Sequence, residues 1–385
     1  MPDPSPSAAP RPAVVTLAGL FEELLWPHLL RAPVLALRFD RMVLAFIAVA
    51  LMGVASSIPT IWGAEGVIVA GPGASVMAGE GTSSIEVVSS HAGPVASSWT
   101  WLLGLPEAIR RSDTAGLVLF GVIKLLILAT IGAGLARSAA CEFGAGVMIS
   151  GPQALAFGLS RWYSGFAAMA VPLGVAAFGG VLLAVLGLLL AVPGLNILGA
   201  ILYPLLVVIG VVMVVILACL VLGGGMLVPA FAVECTDAID AIQRVFNYVL
   251  HRPLSLVIYL AVAVVTGAVA MTLAFALGGA GVALTDWCAG QWSGATGAAV
   301  LGGTAEGGVN AAAAWIVSTV KGVVLVVVYA YLFSYVMCAG TIVYLLVRQR
   351  NDAQHWSEIW FASALEGEVA HEAPQVRAAD EEEAN

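Results

Sequence analysis

Charge is scarce in this chain. Only 10% of its 385 residues are Asp, Glu, Lys or Arg, against roughly 25% in soluble domains, which excludes a soluble globular fold. Lysine is rarer still. Lys124 and Lys321 are the only two, and every other basic residue counted is arginine. The five cysteines form no framework: no pair has zinc-ligand spacing, and the histidines are scattered away from them. There is no metalloprotease signature and no nucleophile elbow, and "GGG" at 223–225 is not followed by the Lys-Ser/Thr of a phosphate loop. An intramembrane enzyme is therefore the weakest reading. No catalytic residue, cofactor, metal or nucleic-acid partner is expected.

What the chain does have is long apolar runs. A span needs about 20 mostly apolar residues, and six stretches qualify: 42–62, 115–136, 166–192, 196–222, 254–278 and 315–346. The last is over-long and reads as a tilted span or one with an interfacial start. The expected fold class is an all-α membrane protein, a six-helix bundle. "PGLN" at 193–196 joins the third and fourth spans into a hairpin, and "GGG" at 223–225 reads as a flexible joint or tight turn. Two outer segments, 63–114 and 279–314, read as external loops. The first holds short strand candidates and "WTWLLGLP", the second Trp287 and Trp292, and together they form a small cap.

Arginine sets the orientation. With the N-terminus inside, the inner segments hold Arg11, Arg31, Arg38, Arg41, Arg137, Arg161, Arg244, Arg252, Arg348 and Arg350, whereas the outer ones hold only Arg110 and Arg111. The positive-inside rule places both termini in the cytoplasm, with a bacterial inner membrane as the expected location. The net charge of −9 is concentrated in residues 351–385, which carry nine acids and one arginine. Such a tail is solvating and projects away from anionic lipid. Residues 1–15 read as a disordered Pro/Ala/Ser leader.

Short amphipathic helices precede the hairpins. "LAGLFEELL" at 17–25 is one, within a cytoplasmic segment 16–41, and "SGPQALAFGLSRWY" at 150–163, within 137–165, is another, with a capping box from Ser150 and Gln153. The clearest is "VECTDAIDAIQRVFNYVLHRP" at 233–253, within 223–253. Ile239, Ile242, Val245, Phe246 and Val249 share one side; Asp237, Asp240, Arg244 and His251 share the other. Thr236 reads as its N-cap, and Asp240 stands four residues before Arg244 for a local ion pair. The acids Glu234, Asp237 and Asp240 do not converge on a metal. They read as the solvated face of an interfacial helix. The plan is thus threefold: an interfacial helix and two spans, repeated.

The pattern "AVECTDAIDAIQRVFNYVLHRP" before a span resembles a broad group of uncharacterised bacterial multi-pass membrane proteins, and the membrane domain attached to some glycerophosphodiesterases. The likeness covers chiefly 229–260. It implies cytoplasmic helices ahead of membrane hairpins and carries no catalytic residue over.

Two features invite function. Lys124 and Lys321 lie in apolar runs at similar depth, approached from outside, with no acid inside a span to pair with. They form an anion or lipid site if they face the bundle, or snorkel to the interface if they do not. Ala263, Gly267, Ala270, Ala274 and Gly278 form a small-residue packing stripe. The favoured reading is a non-enzymatic accessory or assembly component, with lipids around it and protein partners at its cytoplasmic helices and acidic tail. A transporter or lipid-handling protein using the two lysines is the alternative.

Overall fold

The computed structural model describes residues 25–61, 114–191, 193–305 and 307–359. Among them every regular element is helical, as lipid requires: a backbone crossing hydrocarbon must satisfy its N–H and C=O groups within itself. After a 3₁₀ turn, Trp26–Arg31, come α1 (Ala32–Ala36) and α2 (Phe39–Ile61). Then α3 (Thr114–Ile127) runs through a π turn, Leu128–Gly132, into α4 (Ala133–Ala140) and a second π turn, Cys141–Ala145. Next are α5 (Gly151–Ser160), α6 (Trp162–Ala191) and α7 (Asn196–Glu234). The chain closes with α8 (Ala238–His251), α9 (Pro253–Gly290), α10 (Gly294–Leu301) and α11 (Gly308–Asp352).

The segments 121–145, 162–191, 196–234, 253–290 and 308–352 are helices long and apolar enough to cross a membrane, so the protein is a multi-pass all-α membrane bundle. The remaining expected span, 42–62, coincides with α2 except for residue 62, which lies outside the described residues. So do the leader, the helix at 17–24, most of the 63–114 segment and the tail from 360.

The helices pair as three antiparallel hairpins: α2 with α3, α6 with α7, and α9 with α11. A short helix precedes each, α1, α5 and α8 in turn. The core gathers at one end of the bundle. That end holds the starts of α2, α6 and α9 and the finishes of α4, α7 and α11, where Arg41, Ala136, Phe231, Tyr259 and Leu345 are all fully enclosed. At the other end Phe178, Val207, Leu273 and Trp315 are exposed, which in a bilayer means lipid or headgroup contact.

Three sequence expectations change. First, "GGG" is no joint: 223–225 lies inside α7, a helix of 39 residues. A Cβ on Gly223 would lie 2.6 Å from Val245, and one on Gly340 would strike the carbonyl oxygen of Gly225. The glycines let α8 and α11 close on α7, where small residues gain van der Waals contact that lipid cannot match. Second, 279–314 is largely helical. α9 runs on to Gly290, α10 follows, and α11 starts at Gly308. Third, the N-cap position of α8 falls on Asp237, one residue after Thr236, and its side chain makes no capping hydrogen bond. The capping box of Ser150 and Gln153 on α5 is present as expected, and the small-residue stripe of α9 packs on α11, with Gly267 against the Tyr335 ring.

Candidate functional site: the charged end of the bundle

Arginines and acids that flank the spans in sequence are brought together at the packed end. Arg41, in the first turns of α2, is fully enclosed. Its Nη1 donates to the Leu35 carbonyl at 2.5 Å, its Nε to Ser138 Oγ at 3.1 Å, and its Nη2 to Glu142 Oε2 at 2.5 Å. Glu142 also accepts from Arg38 Nη1 at 2.8 Å. The second π turn, which begins at Cys141, carries Glu142 and so ties the first hairpin's two ends together.

Glu234, the last residue of α7, is the second hub. Arg348 Nη1 on α11 donates to its Oε1 at 2.5 Å, Tyr344 Oη to the same oxygen at 3.2 Å, and Arg244 on α8 pairs with Oε2 at 3.6 Å. Arg348 Nη2 then donates to the carbonyls of Glu358 (2.7 Å) and His355 (3.2 Å), holding the segment after α11 against the bundle. There Trp356 meets His28 and Phe143, and a Cβ on Gly144 would strike the Trp356 carbonyl. Burial, with the nearby Arg31 charge, lowers the His28 pKa.

Two more arginines cap α7. Arg137 donates to the carbonyls of Ala232 and Val233, and Arg161 Nη1 donates to that of Cys235 at 2.5 Å. These carbonyls are left without helical partners at a C-terminus, where the macrodipole is negative, so a cation satisfies both needs. Tyr248 of α8 donates to the Asp352 carboxylate, and burial and this bond push its pKa up.

The expected site residues separate. Asp237 and Asp240 stay on the exposed side of α8, as does His251, whose Nδ1 bonds only the Asn247 carbonyl. Arg244 turns from Asp240 to Glu234, because Glu234 ends α7 rather than sharing the α8 face. The apolar side of α8 is Ala241, Val245, Tyr248 and Val249; it packs on protein, and Ile239 is exposed. Lys124 on α3 is buried at the side chain. Lys321 donates to Asp286 Oδ2 and to the Leu301 carbonyl, each at 2.7 Å. That acid lies on the part of α9 expected to be loop, so the lysine has a partner that the span boundaries concealed. Among the described residues, no group of three or more His, Cys, Asp or Glu could hold a metal ion.

Arg41, Glu142, Arg137 and Arg348 were missed as a group in the sequence. Their one signal was position: each lies within a turn or two of an apolar run's end, at the same end of the bundle. No family model, curated protein or solved structure matches the chain. The likeness of 229–260 to uncharacterised multi-pass proteins therefore rests on its residue pattern.

Proposed function

We propose that the protein is a non-enzymatic component of a bacterial cytoplasmic membrane, an accessory or assembly subunit that works through its charged end. The observation that supports this is how that end is built. A buried Arg41–Glu142 tie closes the first hairpin, Arg137 bonds from that hairpin to the α7 carbonyls of Ala232 and Val233, and Arg348–Glu234 joins the second hairpin to the third; on that base α8 presents Asp237, Asp240, Gln243, Asn247 and His251 to solvent. A rigid base with a polar, acidic face fits protein contact, because little ordering cost remains to be met on binding. The arginines gathered at this end favour the cytoplasmic side by the positive-inside rule.

The test is photocrosslinking in living cells from a reactive residue at Gln243 or Asn247, with Val207 at the lipid-facing end as the control. A discrete protein adduct at both α8 positions, absent at Val207 and lost on Asp240→Arg, is expected. Adducts with lipid alone, or the same adducts at Val207, would refute the reading.

A further inference from the structure

Near the end of the bundle opposite the arginine hubs, α9, α10 and α11 enclose a groove of about 560 Å³. Its walls are Gly278, Gly281, Val282 and Thr285 on one side and Val320 and Val324 on the other, with the Asp286–Lys321 pair set into them. The pair sits at a definite depth. At about 1.5 Å per residue, Lys321 lies roughly 40 Å along α11 from Arg348. A bilayer with its headgroups is about 40–45 Å thick. With the Arg348 level at one interface, Lys321 is at the other, and the wall residues Leu277, Gly278, Gly281 and Val324 lead from it towards the hydrocarbon.

The geometry points to a binding site for one zwitterionic, amine-bearing phospholipid, with an acyl chain in the groove and its headgroup on the Asp286–Lys321 pair. The size falls within the roughly 300–1,000 Å³ of small-ligand sites, and the mostly apolar wall with one polar anchor matches their usual chemistry. The occupant is fixed by charge. The Lys321 ammonium has three donors, and among the described residues Asp286 and Leu301 take two, leaving one for a phosphate oxygen. The Asp286 carboxylate keeps acceptor capacity and is 35% exposed, enough to receive an ammonium. A headgroup with both a phosphate and an N–H-bearing amine complements both members. An anionic headgroup meets the lysine but is repelled by the acid. A quaternary amine has no N–H to donate.

This site stands apart from the proposed protein contact at α8. It is built on Lys321 together with Asp286, which supplies the opposite charge beside it.

Gly281 provides a clean probe. Nothing lies within 4 Å of where its Cβ would be, so a side chain there begins in open space and Gly281→Leu narrows the groove. The experiment is native mass spectrometry of the full chain released from detergent with equal amounts of phosphatidylethanolamine, phosphatidylcholine and phosphatidylglycerol. Wild type is expected to retain one phosphatidylethanolamine at least fivefold over either competitor. Gly281→Leu should lose that preference, and so should Asp286→Asn, which removes the acceptor charge. Unfolding temperature in detergent without lipid shows that each variant is folded. Equal retention of the three lipids, preference for phosphatidylglycerol, or a folded Gly281→Leu that retains phosphatidylethanolamine like wild type would overturn the proposal.

Discussion

Two stretches of α7 have almost the same composition and opposite surroundings. From Met226 to Val233 every residue is buried, with Phe231 against Gly165 of α6 and Pro229 near Gly340 of α11, whereas Ile201, Leu205, Val208, Val211 and Val214 are half or more exposed. In water such a contrast would mean that one stretch was misfolded. In lipid it does not, because a valine gains little by leaving acyl chains for protein. What makes the buried end a core is the pairing of glycines with backbone and of arginines with acids and carbonyls. Neither depends on apolarity.

That comparison is broken most severely at the hubs. Arg348→Ala leaves Glu234 with only the neutral Tyr344 hydroxyl and the longer Arg244 contact, and frees the 353–359 segment. Loss of one partner of a buried pair costs about 3–5 kcal/mol, so the protein should lose cooperative unfolding or drop sharply in unfolding temperature in nanodiscs. The matching change at the opposite end, Lys321→Met, breaks a part-exposed pair and should cost under about 1 kcal/mol by the same measurement.

Glycine substitutions sharpen the contrast. A Cβ on Gly158 would strike the Thr130 carbonyl oxygen, where α5 crosses the first π turn, and Gly340 is similarly crowded by Gly225. Alanine at either should destabilise by about 1–3 kcal/mol through overpacking. Gly180 and Gly210 have nothing within 4 Å of where a methyl group would stand, so alanine there should be neutral or stabilise by about 0.5–1 kcal/mol. Equal effects at the two ends would show that the bundle packs along its whole length.

The smallest expected effect is with pH. His28 has its pKa lowered by burial, so the unfolded chain, with an ordinary histidine near 6.5, binds the proton more readily. Stability is then fully present above about pH 6.5 and declines as pH falls below it. His28→Gln should flatten the slope of unfolding temperature between pH 7.5 and 5. An unchanged slope would place the acid sensitivity elsewhere.

Much of the architecture could be read from residue order. The spans, the 193–196 turn, the Ser150 cap and the arginine bias all follow from local rules, since bilayer thickness sets helix length and a cap needs only its own first turn. Where the apolar runs extended past one membrane thickness, the helices run on past the expected span ends. α7 and α9 continue well beyond their expected ends, and Asp286 became intrahelical as a result. The site residues were less legible. Asp237, Asp240 and His251 fell on the expected face of α8, because a helical wheel is a local property. Arg244, Lys321 and Glu234 found partners on other helices, which no wheel contains.

The sequence by itself determined that this is an α-helical membrane protein with several apolar spans and most of its arginines flanking them on one side, because hydropathy and charge act residue by residue along the chain. Only the tertiary structure decided which apolar faces meet protein and which meet lipid, and which acid answers each cation. Those choices depend on residues about 70 to 115 positions apart, such as Arg161 with Cys235 or Arg348 with Glu234, being brought within hydrogen-bond reach by hairpins whose crossings are set by packing.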